Sequence, residues 1–249
     1  MRELNGLAAL WLREFKVFTR ERSRVVSSVF TPILWLIVFG GGLGSSVVIE
    51  KMNYQTFIYP GIVIMSILFT SVFFGIYIVW DRKIDFLKEV LVSPLHRSTI
   101  FMGKVMGGMT DSIIQGTFVL VLGPLFGIGY TPLILIKAYI IVIVMAAGLV
   151  SLGLVIGSQM ESPEGFGMVV SFVVYPMFFL SGALFPISDL PPWLSYFVLL
   201  DPLTYGVDAL RGTLLGTSRF PYLVDLFVIS AFAALMIALG TLAFKRMKT

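Results

Sequence analysis

Cysteine is absent from this chain of 249 residues, and histidine occurs once, at His96. No disulfide framework or thiolate metal site can form, and one imidazole cannot build a histidine-rich metal centre. Charge is scarce as well: 13% of residues are Asp, Glu, Lys or Arg, about half the roughly 25% of an ordinary soluble domain. A phosphate loop is missing too, because the only Gly-Lys pair, Gly103-Lys104, runs into Val105 and has no glycine five residues upstream. The chain therefore binds no ATP by that route. The run "LSGA" at 180 to 183 offers a serine before glycine but no second histidine to act as its base, which argues against an intramembrane hydrolase.

What is there in quantity is apolar: 57% hydrophobic residues, the composition of a membrane protein. Charge-free runs cover 25–49, 52–80, 112–136, 138–160, 165–188 and 226–244, and each is long enough for a helix to cross a bilayer. The reading is an all-α polytopic membrane protein, one membrane domain over 1–249, with six spans at 25–48, 57–80, 106–130, 133–158, 166–186 and 223–244. The net charge of +4 does not mark a nucleic-acid patch, since the basic residues gather at the ends of the apolar runs. Fourteen of the 18 lie on one side: Arg2, Arg13, Lys16, Arg20, Arg22, Arg24, then Arg82, Lys83, Lys88, Arg97, Lys104, then Lys245, Arg246, Lys248. Only Lys51, Lys137, Arg211 and Arg219 fall on the other. By the positive-inside rule both termini and the segment 81–100 face the cytoplasm of a cell membrane. Charges interrupt every apolar stretch of "MRELNGLAALWLREFKVF", so no cleavable leader is expected.

Residues 1–24 place Leu4, Leu7, Ala8, Trp11, Phe15 and Phe18 at helical spacing, with Arg2, Arg13, Lys16 and Arg20 largely on the other face. That is an amphipathic helix suited to the headgroup layer. A second amphipathic piece follows the second span. In "DRKIDFLKEVLVSPLHR", 81 to 97, Ile84, Leu87, Val90 and Leu91 recur at three- and four-residue steps with Phe86 beside them, and Asp85, Lys88 and Glu89 flank the stripe. Ser93-Pro94 stops it after about three turns. So short a helix is marginal alone and must pack on lipid, on its own helix ends or on another chain. Its mixture of acids and bases disfavours the anionic leaflet.

Before the last span, "LPPWLSYFVLL" is uncharged but too short to cross, which predicts a re-entrant or interfacial helical segment over 187–219. Pro191 and Pro192 open it, Trp193 suits the headgroup boundary, and Asp208 lies three residues from Arg211, close enough to pair. Such a segment fits either an outer gate or a plain cover over span ends. In the third span Asp111 and Gln115 are one turn apart, with Lys104 two turns earlier on the same face. Proton coupling is one reading and a Lys104–Asp111 contact the other. The Gly-x-x-x-Gly pairs 40/44 and 153/157 suggest close helix packing, within the chain or across a dimer.

Three stretches carry a resemblance. "EVLVSPLHR" (89–97), "PMFFLSGALFPISDLPPWL" (176–194) and "DPLTYGVDALRG" (201–212), in this order on six spans, resemble the type-2 permeases of ATP-binding-cassette transporters, which include nodulation-factor, daunorubicin-type and polysaccharide exporters. The likeness covers residues 10 to 245. It implies that 83–92 is a coupling helix seated in a separate ATPase subunit, which would bind ATP and magnesium, with no cofactor in this chain. The coupling residues would be Ile84, Phe86, Leu87, Lys88, Glu89, Val90 and Leu91, with Phe86, Leu87 and Leu91 as anchors. It also favours the gate for 187–219, with Pro191, Trp193, Tyr205, Asp208 and Arg211. Two copies would enclose a path lined by residues such as Phe69, Phe73 and Phe178, suited to an amphiphilic or lipid-like cargo. An ion- or proton-coupled secondary carrier is the alternative, with Asp111 and Gln115 its best ligands. One departure stands out: where that family commonly has asparagine before "PLTY", this chain has Asp201.

Overall fold

One device starts three of the helices: a polar side chain followed at once by proline. Thr131 accepts the Ile134 amide (3.3 Å) ahead of Pro132, Ser162 accepts the Gly165 amide (3.0 Å) ahead of Pro163, and Asp201 accepts the Leu203 amide (2.9 Å) ahead of Pro202. Proline costs nothing at a position whose amide has no helical partner, and the capping oxygen satisfies an amide that would otherwise be orphaned. The helices so begun are α7 (Pro132–Gln159), α8 (Pro163–Leu180) and α10 (Pro202–Leu215).

A computed structural model of the chain describes residues 2–42, 48, 49, 52–188 and 190–247. The far end of the "GGGLG" run, Lys51, Asp189 and Lys248 lie outside the described residues. In chain order the remaining helices are α1 (Arg2–Arg20), α2 (Arg22–Trp35), α3 (Tyr54–Phe73), α4 (Ile76–Lys83), α5 (Phe86–Val92), α6 (Arg97–Val121), α9 (Pro192–Leu200) and α11 (Tyr222–Arg246). After Trp35, α2 widens into a π-helical stretch, Leu36–Gly41. A two-stranded antiparallel ladder pairs Val48 with Asn53 and Ile49 with Met52.

Among the described residues, four helices are long and apolar enough to cross a membrane: Tyr54–Lys83, which joins α3 and α4, then α7, α8 and α11. The stretch expected as the first span is represented by α2 and its π turn, in which only Phe30–Gly41 forms an apolar helix. For the third, α6 has the length but begins earlier than the expected 106–130, and it ends earlier because Gly123–Phe126 tightens into a 3₁₀ turn closed by Gly127 at φ 77°. The last residues expected in the fifth span are likewise not helical: α8 stops at Leu180 and the chain turns at Gly182, φ 70°. Glycine takes that left-handed geometry without the steric cost a Cβ brings.

The centre is α3, buried on nearly every side among α2, α6, α7, α8 and α10. A helix apolar all round belongs in such a place. Its Tyr59 hydroxyl donates toward the carbonyls of Val119 (2.8 Å) and Leu120 (3.0 Å), which close α6 and also face the capping Leu122 amide. At the other end of this helical pair α4 meets α7 backbone to backbone: a Cβ at Gly75 would stand 2.0 Å from the Gly153 carbonyl oxygen. One at Gly157 would stand 2.2 Å from the Gly75 oxygen. The 153/157 glycine pair therefore serves packing inside the chain.

Candidate coupling site

At the end of the bundle where α4 finishes, the chain reverses through Asp85, whose φ of 57° is left-handed. Aspartate is among the few residues other than glycine that tolerate this. Asp85 then supplies its carbonyl to the Lys88 amide (3.1 Å), starting α5, and Ser93 ends the helix by donating its hydroxyl to the Val90 carbonyl (2.6 Å).

The apolar stripe of α5 faces inward. Leu87, Val90 and Leu91 are buried in a cluster with Leu10, Ile78, Ile100, Phe101, Val105 and Phe244. This corrects the expectation that Leu87 and Leu91 are anchors for another chain: their partner is this chain's own core. Phe86 is half-buried against the same cluster. The residues turned outward are Ile84 (67% exposed), Val92 (75% exposed), Lys88 and Glu89.

Behind α5 lies a charge cluster that sequence reasoning did not assemble. Lys104 of α6 is fully buried, and its Nζ donates to Asp81 of α4 at 2.5 Å and to Glu14 of α1 at 3.1 Å. Arg13 of α1 spans the same two acids, 2.7 Å from Asp81 and 2.6 Å from Glu14. Its guanidinium carbon also stands 3.9 Å from the centre of the Phe86 ring, a cation–π contact. Two acids thus meet two bases, and one base grips α5. Burial works against the Arg13 charge, but the carboxylates of Glu14 and Asp81 outweigh it and hold this guanidinium above its ordinary value.

The first helix reaches this cluster because α6 offers it a groove. A Cβ at Gly103 would stand 2.8 Å from Leu10 Cβ, and one at Gly107 2.5 Å from Glu14 Cβ. Trp11 donates to the Thr110 hydroxyl at 2.9 Å, and Thr99 donates to Glu3 at 2.5 Å. So α1 does not lie loose on a surface: Leu10, Glu14 and Phe18 are buried on the protein, whereas Leu4, Ala8 and Leu12 on its other apolar edge are exposed. The expected Lys104–Asp111 contact is not formed, since the ammonium is taken by Asp81 and Glu14.

A family model described as the ABC-2 type transporter matches residues 5–215. The chain belongs to that family. Among its relatives, the inner membrane transport permease YadH of Escherichia coli K12 is 29% identical over 239 residues, covering 91% of this chain and 90% of that protein. Nodulation protein J of Rhizobium leguminosarum bv. viciae is 27% identical over 218 residues, covering 86% and 83%. The chain is thus a multi-pass ABC-2 permease, a transport subunit of an ABC transporter.

The other end of the permease holds the residues expected to form a gate. Pro191 and Trp193 open α9, where Trp193, Tyr196, Phe197 and Leu200 are all exposed. A helix of this length is too short to span a bilayer, and its bare apolar surface suits a membrane boundary. Tyr205 donates to the Leu199 carbonyl (3.0 Å) and stacks on Phe220, which ties α10 to α9 and to the loop after it. Asp208 and Arg211 do not pair with each other. The Asp208 carboxylate accepts the amides of Arg219 and Phe220 at 2.9 Å each, and Arg211 donates to the Gly182 carbonyl (2.8 Å) while lying 4.1 Å from the centre of the Phe57 ring. They stand three positions apart on one helix, but each reaches a different neighbour.

Along the side of ABC-2 helix α3, Phe69 and Phe73 stack at 6.2 Å and line a cavity of about 270 Å³ with Thr31, Met65, Thr70 and Gln115. Phe178 stands 6.3 Å from Phe69 but is only 1% exposed, so it backs the aromatic wall from inside and lines no open surface here.

Asp201 carries a testable consequence. One carboxylate oxygen caps the Leu203 amide, and the other has no hydrogen-bond partner among the described residues. Burial pushes this carboxyl up to about 7 against the opposing pull of that amide. The unfolded chain ionises it near 3.8, so the fold is favoured while the group stays protonated and loses stability as pH rises from about 4 to 7. Asp201→Asn keeps the cap and removes the charge. It is expected to stabilise the permease by on the order of 1–3 kcal/mol at pH 8 and to be nearly neutral at pH 4. Thermal unfolding in detergent at both pH values checks it, and an equal effect at the two would refute the assignment.

Proposed function

We propose that this ABC-2 permease is the membrane half of an ATP-driven exporter, working as a pair of identical copies on a separate ATPase subunit that takes hold of the outward face of α5. The observation that carries the reading is the mounting of α5: a three-sided brace of Arg13, Asp81 and a buried leucine face holds it against α1, α4 and α6. A free-standing helix of 7 residues would not keep its shape under load. Held this way, it can pass a displacement from a docked partner into two long helices at once. Both termini and α5 face the cytoplasm in this reading, following the distribution of basic residues.

Cargo is taken up along the Phe69–Phe73 face and leaves past α9 and α10, with a second copy completing the walls. Amphiphilic or lipid-like molecules fit an aromatic surface of this kind. The chain supplies no nucleotide site, and ATP with magnesium would sit in the partner.

Docking predicts a division among variants in and just before α5. Ile84→Asp and Val92→Asp change only outward residues, so each should keep the fold and lower recovery of the co-expressed ATPase at least about tenfold. Leu91→Asp should instead collapse the permease itself. Full ATPase recovery by both surface variants would end the docking proposal.

A further inference from the structure

The cytoplasmic ends of α4, α7 and α11 leave a cavity of about 650 Å³ between them, lined by Arg82, Ser158, Gln159, Glu161, Ala243, Arg246 and Met247. Nothing in the coupling scheme uses it. Arg82 is fixed there by donating to the carbonyls of Ser158 (2.8 Å), near the end of α7, and Met160 (2.5 Å), just beyond it. Arg246, in the last turn of α11, is exposed and makes no ion pair among the described residues. The single acid of the lining, Glu161, is exposed and pairs with neither arginine. Two guanidiniums against one carboxylate leave the cavity cationic, with Lys245 next to Arg246 in sequence.

A second feature runs into this cavity. Leu235, Leu239 and Leu242 of α11 are 54%, 42% and 50% exposed. Their spacing of four and three, with Arg246 four further on, puts all four residues on one face of the helix. An apolar track thus leads along the outside of the bundle to a cationic recess at headgroup depth.

We infer that this recess is a binding site for an anionic phospholipid of the cytoplasmic leaflet, with the phosphodiester held by Arg246 beside Arg82 and an acyl chain laid on Leu242, Leu239 and Leu235. Basic recesses between span ends on the cytoplasmic side suit such headgroups, since the leaflet is anionic and the guanidinium fork matches phosphate oxygens. A zwitterionic lipid satisfies the track but not the charge. The assignment rests on the orientation proposed above.

The test uses the full chain with its ATPase, delipidated in detergent and then given phosphatidylglycerol, phosphatidylcholine or inorganic phosphate, with retained lipid counted by native mass spectrometry. Phosphatidylglycerol should be retained on the wild type in preference to phosphatidylcholine. Arg246→Gln should cut phosphatidylglycerol retention about fivefold and leave phosphatidylcholine unchanged. Lys245→Gln, one residue away on another face, should change neither. An equal loss from Lys245→Gln would mean diffuse surface charge with annular lipid only. Protection from thermal unfolding by inorganic phosphate equal to that by phosphatidylglycerol would mean a phosphate site without lipid, and loss of the ATPase from Arg246→Gln with lipid retained would mean a protein contact. Each of these overturns the proposal. Sidedness is read separately: with no native cysteine, Thr249→Cys should resist an impermeant maleimide in intact cells. Labelling there would overturn the orientation and leave the retention result standing on its own.

Discussion

Replacing Lys104 by methionine should cost the permease about 3–5 kcal/mol, enough to abolish a monodisperse preparation. Methionine fills nearly the volume of the lysine, so the loss is electrostatic: Glu14 and Asp81, 2% and 3% exposed, would be left sharing the single charge of Arg13. A buried ion pair contributes little net stability, because desolvation consumes most of its attraction, yet removing one partner strands a charge where water cannot reach it. The same logic predicts a rescue. Adding Glu14→Gln to Lys104→Met restores a one-to-one balance between Arg13 and Asp81, and the double variant should recover most of the loss, a coupling that a double-mutant cycle measures directly. The exposed pair of Lys88 and Asp85, at 2.7 Å but with side chains 62% and 71% exposed, is the contrast: Lys88→Ala should stay within about 0.5 kcal/mol of the parent. If Lys104→Met unfolds at the parental temperature, the cluster does not brace α1, α4 and α6.

Gly153→Ala should be equally damaging, for a reason without charge in it. A Cβ at Gly153 would stand 2.3 Å from the Val72 carbonyl oxygen. The obstacle is backbone, which has no rotamer to change, so α3–α4 and α7 must move apart along the whole seam that Gly75 and Gly157 also form. Overpacking typically costs 1–3 kcal/mol where side chains can yield; here they cannot, and a loss above about 3 kcal/mol is expected, read from the denaturant needed to unfold the protein in micelles. Two other glycines set the scale. A Cβ at Gly206 would meet the Met145 thioether at 2.9 Å, a flexible group, so Gly206→Ala should be mild. Gly167 has nothing within 4 Å, and Gly167→Ala should be neutral or slightly stabilising. A Gly153→Ala protein as stable as Gly167→Ala would show that the seam is not closed in solution.

These two sites mark the boundary of what could be read from the chain. Uninterrupted apolar helices were legible: α7 runs Pro132–Gln159 where 133–158 was expected, and α11 runs Tyr222–Arg246 where 223–244 was expected. Proline stands at the start of both, with the Thr131 cap on α7, and the buried acid of α11, Asp225, sits in its first turn where it does not break the apolar run. In α6 the expected start fell too late, because Lys104 looks like a boundary when it is in fact buried within the helix. The stripe on α5 was visible as Leu87, Val90 and Leu91, but periodicity says only that a helix has an apolar side, not whose core receives it. The charge cluster could not be found by scanning, since Lys104 and Glu14 are 90 residues apart. Its one local trace was a lone lysine beside glycines at 103 and 107, spaced to admit another helix. The pairing expected between Asp208 and Arg211 failed for a similar reason: spacing allows a contact, and competing amides and carbonyls decide it.

The widened turn from Leu36 to Gly41 gives the first long helix a place to slip. A π turn holds one residue more than the ordinary repeat, so moving the bulge along the chain, or expelling it, rotates everything on one side of it by about 100° relative to the other. Trp35 and Phe39 are stacked across this turn at 4.6 Å, and Trp35 also meets Phe178 edge-on at 5.7 Å. A ratchet step there would therefore re-aim the aromatic panel beside Phe69 while leaving the backbone seam of α4 and α7 untouched, so that the wall can change its face and the frame can stay rigid.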